Sequence, residues 1–307
     1  MNSSQRAVLT GVVRGKIQWD ASLSAWTTYR IGGPADALVT LLDVRDLQEV
    51  LGFCRSEGVA WKLLGRGSNI LASDRGFRGV VMVLGEGFRE ISCERCDDAS
   101  AVIVRAGAAV SMTKLANWCC REGLSGVEFA AGIPGSVGGA VVMNAGAWGR
   151  SMKDVVSAIE LTDEHSAEMV YAEDLGFSYR RCEYRGRDSA GPVITNAVFS
   201  LMSADSGTIG ETMRELQARR TSSQPYGKAN GGSVFRNPDG ASAGTLIDAA
   251  GLKGLRIGDA QVSEKHANFI INRGRATADD VRALIAEIRE RVLQDSGIGL
   301  ETEIEIL

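Results

Sequence analysis

The chain has 307 residues, enough for two or three domains that each bury a core of their own. Hydrophobic residues make up 44% and charged residues 23%, ordinary proportions for a globular protein, and a formal net charge of −4 argues against nucleic acid as the main partner. No apolar run is long enough to span a bilayer, and Met1–Thr10 lacks the apolar stretch of a signal peptide, so a cytoplasmic protein with a small-molecule partner and no membrane association is expected.

In chain order, Val8, Val12 and Val13 predict a short docked helix at the N-terminus. Gly32-Gly-Pro34 reads as a turn into an apolar strand over 37–42. Asp46 is the predicted cap of a helix whose apolar positions are Leu47, Val50, Leu51 and Cys54, with Gly58 as its end, and 59–64 reads as a buried strand. Strand, helix and strand in that order predict a crossover unit. Gly65-Arg-Gly-Ser-Asn69 then falls at the carboxyl end of a strand, where ligands of such units bind. Two more strands are predicted at 79–84 and 101–106, followed by a helix capped by Ser111, with Leu115, Ala116 and Cys119 inward and Gly123 as the stop.

The stretch Ala130-Ala-Gly-Ile-Pro-Gly-Ser-Val-Gly-Gly139 continues through Met143-Asn-Ala-Gly146 to Gly149. Gly132, Gly135, Gly138 and Gly139 permit positive φ and leave peptide N–H groups unshielded, while Pro134 fixes one turn of the path. Such N–H groups cradle anions, a diphosphate above all. An isolated glycine pair reads as a tight turn; this run is too long for that. Neither glycine loop has the spacing G-x-G-x-x-G, and no G-x-x-x-x-G-K-[ST] occurs, which disfavours a Rossmann fold and a P-loop.

Strand-like segments follow at 155–162 and 168–172, then comes Phe177-Ser-Tyr-Arg-Arg-Cys182, and 192–201 reads as the last strand of this domain. Arg180, taken alone, reads first as a solvated surface cation, as does Arg181 beside it. Composition shifts at 202–208, the predicted start of a second domain, and a helix carrying Ile209, Met213 and Leu216 comes next. The loop Asn230-Gly-Gly-Ser-Val-Phe-Arg-Asn-Pro-Asp-Gly240 sets a hydroxyl, an amide and a cation among glycines. Ser233 alone would be a surface turn, yet the group together can grip a phosphorylated ligand. A short helix is predicted at 244–250 and a strand at 267–272. Thr277-Ala-Asp-Asp280 resembles a capping box opening a helix with the stripe Val281, Leu284, Ile285, Ile288 and Val292. From Leu300 strict alternation puts Leu300, Thr302, Ile304 and Ile306 on one face, and each of Glu301, Glu303 and Glu305 singly reads as solvated.

Six cysteines, at 54, 93, 96, 119, 120 and 182, show no secreted-framework spacing and are expected as free thiols. Cys93-Glu-Arg-Cys96 is a lone C-x-x-C, and the two histidines, His165 and His266, lie far apart, so no metal site is expected.

Seven motifs in order, Tyr29-Arg-Ile-Gly-Gly-Pro-Ala35, Gly65-Arg-Gly-Ser-Asn-Ile-Leu71, Ala131 through Gly146, Tyr179-Arg180, Gly232-Ser-Val-Phe-Arg-Asn-Pro238, Ser263-Glu-Lys-His266 and Leu300-Glu-Thr-Glu303, make the chain resemble the UDP-N-acetylenolpyruvoylglucosamine reductase family. The resemblance implies an α+β protein: an N-terminal segment 1–29, an FAD-binding domain of the vanillyl-alcohol-oxidase (PCMH) type over 30–203 with subdomains 30–85 and 86–203, and a C-terminal α+β substrate-binding domain over 204–307. It implies non-covalent FAD held by Gly65, Arg66, Gly67, Ser68, Asn69 and Ile70, by Gly132, Ile133, Pro134, Gly135, Ser136, Gly138 and Gly139, and by Asn144, Ala145 and Gly146. NADPH would be the hydride donor, and a UDP-sugar enolpyruvyl ether the substrate.

Carried over by motif, Arg180 and Glu303 would stabilise an enol-like intermediate and Ser233 would protonate it, with Arg236, Asn237 and His266 on the substrate. Glu303 is preferred to Glu301 because the family's glutamate is the second acidic position of that motif. Cys182 stands where serine is common, which puts a supporting hydrogen bond there in doubt. No insertion follows Arg180, as in the shorter family subtype, and a monomer is expected. A different flavin enzyme on the same fold would explain the glycine loops but not Ser233 with Glu303. A catalytically silent binding protein is opposed by the intact trio.

Overall fold

A computed structural model describes residues 1–95, 101–186 and 191–307. The chain forms two compact units, neither continuous in sequence. Met1–Trp19, Ala37–Gly65 and Arg78–Ala218 make the first; Asp20–Asp36, Arg66–Phe77 and Arg219–Leu307 make the second. This division differs from a single boundary at residue 204. A composition shift marks a loop, but core membership decides a unit: Tyr29, Ile31 and Leu71 pack in one cluster with Val234, Phe235 and Ile247.

In the first unit, the helix Val44–Ser56 buries the predicted Leu47, Val50, Leu51 and Cys54. Its cap is Asp43, which accepts the Asp46 N–H at 3.0 Å, and not Asp46. The Asp46 side chain is fully buried and instead accepts the backbone N–H groups of Arg14, Gly15 and Leu42 at 2.8, 3.0 and 2.7 Å. A carboxylate three residues into a helix can serve an incoming loop as well as the helix itself, and spacing alone does not distinguish the two. The N-terminal helix, Ser3–Val12, carries a capping box between Asn2 and Gln5 and turns Leu9 inward, leaving Val8 43% exposed.

One sheet has the strand order Lys16–Ser22, Pro34–Leu41, Phe77–Leu84, Trp61–Leu63, the last two parallel with Trp61 opposite Val80. The strand-helix-strand connection is therefore present, with Phe77–Leu84 inserted between its two strands. A second, antiparallel sheet runs Ala167–Tyr171, Val156–Thr162, Val193–Ser203, Ala101–Gly107, Ile91–Glu94, with Leu124–Ser125 beside Val193–Ser203. The helix Met112–Arg121, capped by Ser111, buries Leu115, Ala116 and Cys119 as its spacing predicts.

In the second unit, an antiparallel sheet runs Ala229–Asn230, Ile270–Asn272, Ala260–Val262, Arg256–Ile257. The long helix Ala278–Ser296 opens with the Thr277–Asp280 capping box and ends at Gly297 in the left-handed region. Its whole predicted stripe is buried, and each such side chain contributes about 1.5–3 kcal/mol. The Asp74 carboxylate accepts the Ala278 and Asp279 N–H groups at 2.9 and 3.1 Å, neutralising the helix start.

The expected alternating strand from Leu300 is interrupted. Thr302 bridges Phe235, and only Glu305–Ile306 forms a strand, parallel to Ile70–Leu71. Because the segment changes partner, Leu300 and Ile304 are buried while Ile306 is 45% exposed.

Candidate active site

The strand Trp61–Leu63 delivers Gly65 directly against Ser136. A Cβ at Gly65 would lie 2.8 Å from the Ser136 hydroxyl oxygen, so only glycine leaves this approach open. Ser136 is 5% exposed and precedes the helix Val137–Val142 without capping it. Among the described residues, the peptide N–H groups of Gly135, Ser136 and Gly139 donate to no protein acceptor. Unshielded N–H groups beside a hydroxyl and exposed glycine fit the anionic diphosphate of a dinucleotide. Gly132 and Gly135 hold the turn with φ of 77° and 146°.

Other members of the stretch also have partners within the protein. Gly138 lets its helix approach Ala108, whose Cβ a Cβ at 138 would meet at 2.9 Å. Ala145 donates to the Ala140 carbonyl, and Gly146 sits in a hairpin opposite Ser151. Ile133 donates to the Ala130 carbonyl, and Pro134 is exposed.

Arg180 occupies the second position of a two-residue turn joining Gly176–Ser178 to Arg181–Glu183, with Ser178 opposite Arg181. Its φ is 58°, a place where glycine or asparagine is usual and where another L-residue costs about 1–2 kcal/mol. Its guanidinium lies 5.1 Å from the centre of the half-exposed Tyr179 ring. Cys182, the middle residue of the strand after the turn, is wholly buried among apolar residues.

The second unit brings Ser233 and Glu303 into neighbouring segments. Phe235 faces Thr302, the Glu303 N–H donates to the Val234 carbonyl at 2.8 Å, and the Arg236 N–H donates to the Glu301 carbonyl at 2.9 Å. Both Ser233 and Glu303 are partly buried, whereas Glu301 is exposed. Asn268, 3% exposed, clamps this ladder from the other side. Its side-chain amide donates to the Phe235 carbonyl at 2.8 Å and accepts the Phe235 N–H at 2.9 Å, while its backbone carbonyl accepts the Val234 N–H.

The upstream loop joins the same unit. Thr28 donates through its hydroxyl to the Asn230 carbonyl at 2.7 Å and through its N–H to the Gly67 carbonyl at 3.0 Å. Gly67 has a φ of 61°, and a Cβ there would meet the Trp26 carbonyl oxygen at 2.1 Å. Asn69 donates through its side chain to the Glu303 carbonyl at 3.1 Å, and its backbone carbonyl accepts the Glu305 N–H at 2.9 Å. Arg66 is exposed, Ser68 partly buried, and Ile70 lies in the strand paired with Glu305.

Arg236 has a buried Nε without a hydrogen-bond partner and a guanidinium 3.9 Å from the Glu301 carboxylate, a cation with capacity left for an anion. Asn237 accepts the Ala243 N–H at 3.0 Å. His266 is half-buried against Phe269, with ring centres 4.9 Å apart, and its Nδ1 accepts the Asn268 N–H at 3.3 Å. Burial and the nearby Lys253 ammonium lower its pKa below the usual 6.5, so the ring is neutral at pH 7 and carries its proton on Nε2.

Beneath this loop lies Tyr29, fully buried, with its ring filling the space where a side chain at Gly231 would stand. Its hydroxyl has no hydrogen-bond partner of normal geometry; burial raises its pKa far above that of an ordinary phenol, and the Gly231 peptide group opposes this only weakly. Tyr29→Phe is expected to leave the melting temperature of the FAD-loaded protein unchanged or raise it, since it removes an unsatisfied polar group. Gly231→Ala places a Cβ 2.1 Å from the Tyr29 ring. It should destabilise by about 1–3 kcal/mol, read by thermal denaturation.

The expected absence of a metal site involves Cys96, which lies outside the described residues. Among those described, no cluster of His, Cys, Asp or Glu is arranged to hold a metal ion, Cys54, Cys93, Cys119, Cys120 and Cys182 are free thiols, and no helix is long and apolar enough to cross a membrane. Burial pushes the Cys54 and Cys119 thiols up to about 12, which keeps them unreactive.

Residues 35–170 match the family model described as FAD binding domain, and residues 224–307 match the one described as UDP-N-acetylenolpyruvoylglucosamine reductase, C-terminal domain. A UDP-N-acetylenolpyruvoylglucosamine reductase of Desulfosudis oleivorans is 42% identical over 312 residues, covering 100% of this chain and 99% of its own. One of Geobacter sulfurreducens is 42% identical over 306 residues, covering 100% and 99%. The crystal structure of UDP-N-acetylenolpyruvylglucosamine reductase from Thermus caldophilus superposes with a TM-score of 0.78 at 34% identity, covering 95% of this chain and 98% of that one. The chain therefore belongs to the UDP-N-acetylenolpyruvoylglucosamine reductase family, FAD-dependent oxidoreductases acting on an enolpyruvyl substrate.

Proposed function

We propose that this enzyme uses NADPH to reduce UDP-N-acetylglucosamine enolpyruvate to UDP-N-acetylmuramate in the cytoplasm, with Ser233 as proton donor and Arg180 and Glu303 as stabilisers of the developing charge. FAD, when bound, would supply the chemistry for hydride transfer between NADPH and the enolpyruvyl double bond. The peptide N–H groups of Gly135, Ser136 and Gly139 would hold its diphosphate.

Hydride addition to the terminal carbon leaves negative charge on the carbon beside the carboxylate, shared with the carboxylate oxygens. A guanidinium at those oxygens stabilises charge as it forms, which is the task of Arg180. For Glu303 to help it must present a proton, since an ionised carboxylate would repel the enolate. A serine hydroxyl is a weak acid, but proton transfer to a carbanion of far higher basicity is downhill once the donor is in place. Arg236, with its buried unpartnered Nε, and the neutral His266 are suited to hold the anionic and polar parts of the sugar nucleotide.

The observation that carries this reading is the shared ladder of the Ser233 and Glu303 segments, with Glu303 donating through its N–H to the carbonyl next to Ser233. It is tested by colour. Purified enzyme should be yellow, bleach with NADPH without oxygen, and recover colour on addition of the enolpyruvyl sugar nucleotide. Bleaching without recovery would point to a different oxidoreductase.

A further inference from the structure

The glycine-rich stretch contains an asparagine whose side chain is committed to the protein. Asn144 is 4% exposed, with a φ of 39°. Its Nδ2 donates to the Ser178 carbonyl at 2.8 Å, and its Oδ1 accepts the Lys153 N–H at 3.0 Å. A backbone acceptor at one end and a backbone donor at the other leave no ambiguity about which way the amide points. Ser178 is the residue immediately before the Tyr179–Arg180 turn and pairs with Arg181 across it. The amide therefore grips the base of the turn that carries Arg180 in its left-handed conformation, a conformation that the local backbone does not favour by itself.

The other glycine loop makes a bond of the same kind in its own unit. Asn69 donates its amide to the carbonyl of Glu303 itself. Each loop thus contributes one side-chain amide to the backbone at, or two residues before, a charged residue of the proposed mechanism.

We propose that Asn144 and Asn69 are positioning residues, Asn144 presenting Arg180 through the Ser178 carbonyl and Asn69 presenting Glu303 through its own carbonyl. This rests on the roles given above to Arg180 and Glu303. The loops would then do two things: the peptide N–H groups of Gly135, Ser136 and Gly139 would face the cofactor, and the side chains of Asn144 and Asn69 would hold groups that act on the substrate.

The test uses FAD-loaded enzyme and rapid mixing to separate flavin reduction by NADPH from reoxidation by the sugar nucleotide. Asn144→Gly keeps the positive φ and removes the amide; Asn144→Asp keeps the acceptor for Lys153 and removes the donor to Ser178. In both, flavin content and reduction by NADPH should stay within about twofold of wild type while reoxidation slows about 10- to 100-fold, the scale expected when a catalytic group is displaced by about an ångström. Arg180→Ala combined with Asn144→Gly should be no slower than Arg180→Ala alone, and Glu303→Ala combined with Asn69→Ala no slower than Glu303→Ala alone. Wild-type reoxidation in Asn144→Asp, losses that multiply in the double variants, or loss of bound FAD would overturn the proposal. If Arg180→Ala itself leaves reoxidation untouched, the underlying role of Arg180 fails and the positioning role of Asn144 falls with it.

Discussion

Ser233→Ala is expected to bind FAD and to be reduced by NADPH at close to the wild-type rate, yet to reoxidise with the sugar nucleotide about 10²- to 10⁴-fold more slowly, the range a positioned general acid contributes. The split between half-reactions follows from where the hydroxyl is needed. NADPH oxidation requires no proton from Ser233, whereas the enolate does. Ser233 sits on a backbone fixed by Asn268, by the Glu303 N–H bond to Val234 and by the Thr28 bond to Asn230, so removing one oxygen should leave the loop in place. Ser233→Cys should recover part of the rate, because a thiol is a stronger acid in a displaced position. Rapid mixing with prereduced enzyme measures this, and unchanged reoxidation in Ser233→Ala would remove the residue from the mechanism.

Glu303→Ala should lower kcat about 10²- to 10³-fold, the cost of deleting one donor aimed at developing charge. Glu303→Gln keeps an N–H donor in nearly the same volume and should retain more activity than the alanine variant. Equal losses would mean that the proton on Glu303 is not what matters. Glu301→Gln changes an exposed side chain 3.9 Å from the Arg236 guanidinium and should move kcat by less than about threefold, because exposed ion pairs contribute little. Steady-state rates of the three variants decide between the two glutamates.

Helix starts and apolar stripes are legible in the sequence because each depends on local spacing. Thr277, Ser111 and the Val281-to-Val292 stripe stand where spacing puts them. Asp46 shows the limit: the same carboxylate that could cap its own helix is drawn to the loop at Arg14 and Gly15, a partner some thirty residues away in sequence. The assembly of Asp20–Asp36 and Arg66–Phe77 with the C-terminal residues is equally hidden, since it depends on which core Tyr29 and Leu71 join. At the candidate site, the motif order identifies the segments but not their geometry. An arginine carries no signal for positive φ, so the strained turn at Arg180 is visible only in the structure. Asn268 could have been flagged as a polar residue amid the apolar run from Ala267 to Ile271, yet nothing local says that it clamps Phe235. The family resemblance implies Asn69 and Asn144 as cofactor contacts, but it does not say which partner a side chain takes when the backbone of the same loop faces another.

The most direct measurement is a crystal structure of the enzyme with FAD and the enolpyruvyl sugar nucleotide both bound. The Ser233 hydroxyl should lie about 3–3.5 Å from the carbon beside the substrate carboxylate, the separation of a near-attack arrangement, with Arg180 and Glu303 in hydrogen-bond reach of that carboxylate. A closed complex in which any of these three side chains is turned to bulk water would contradict the mechanism.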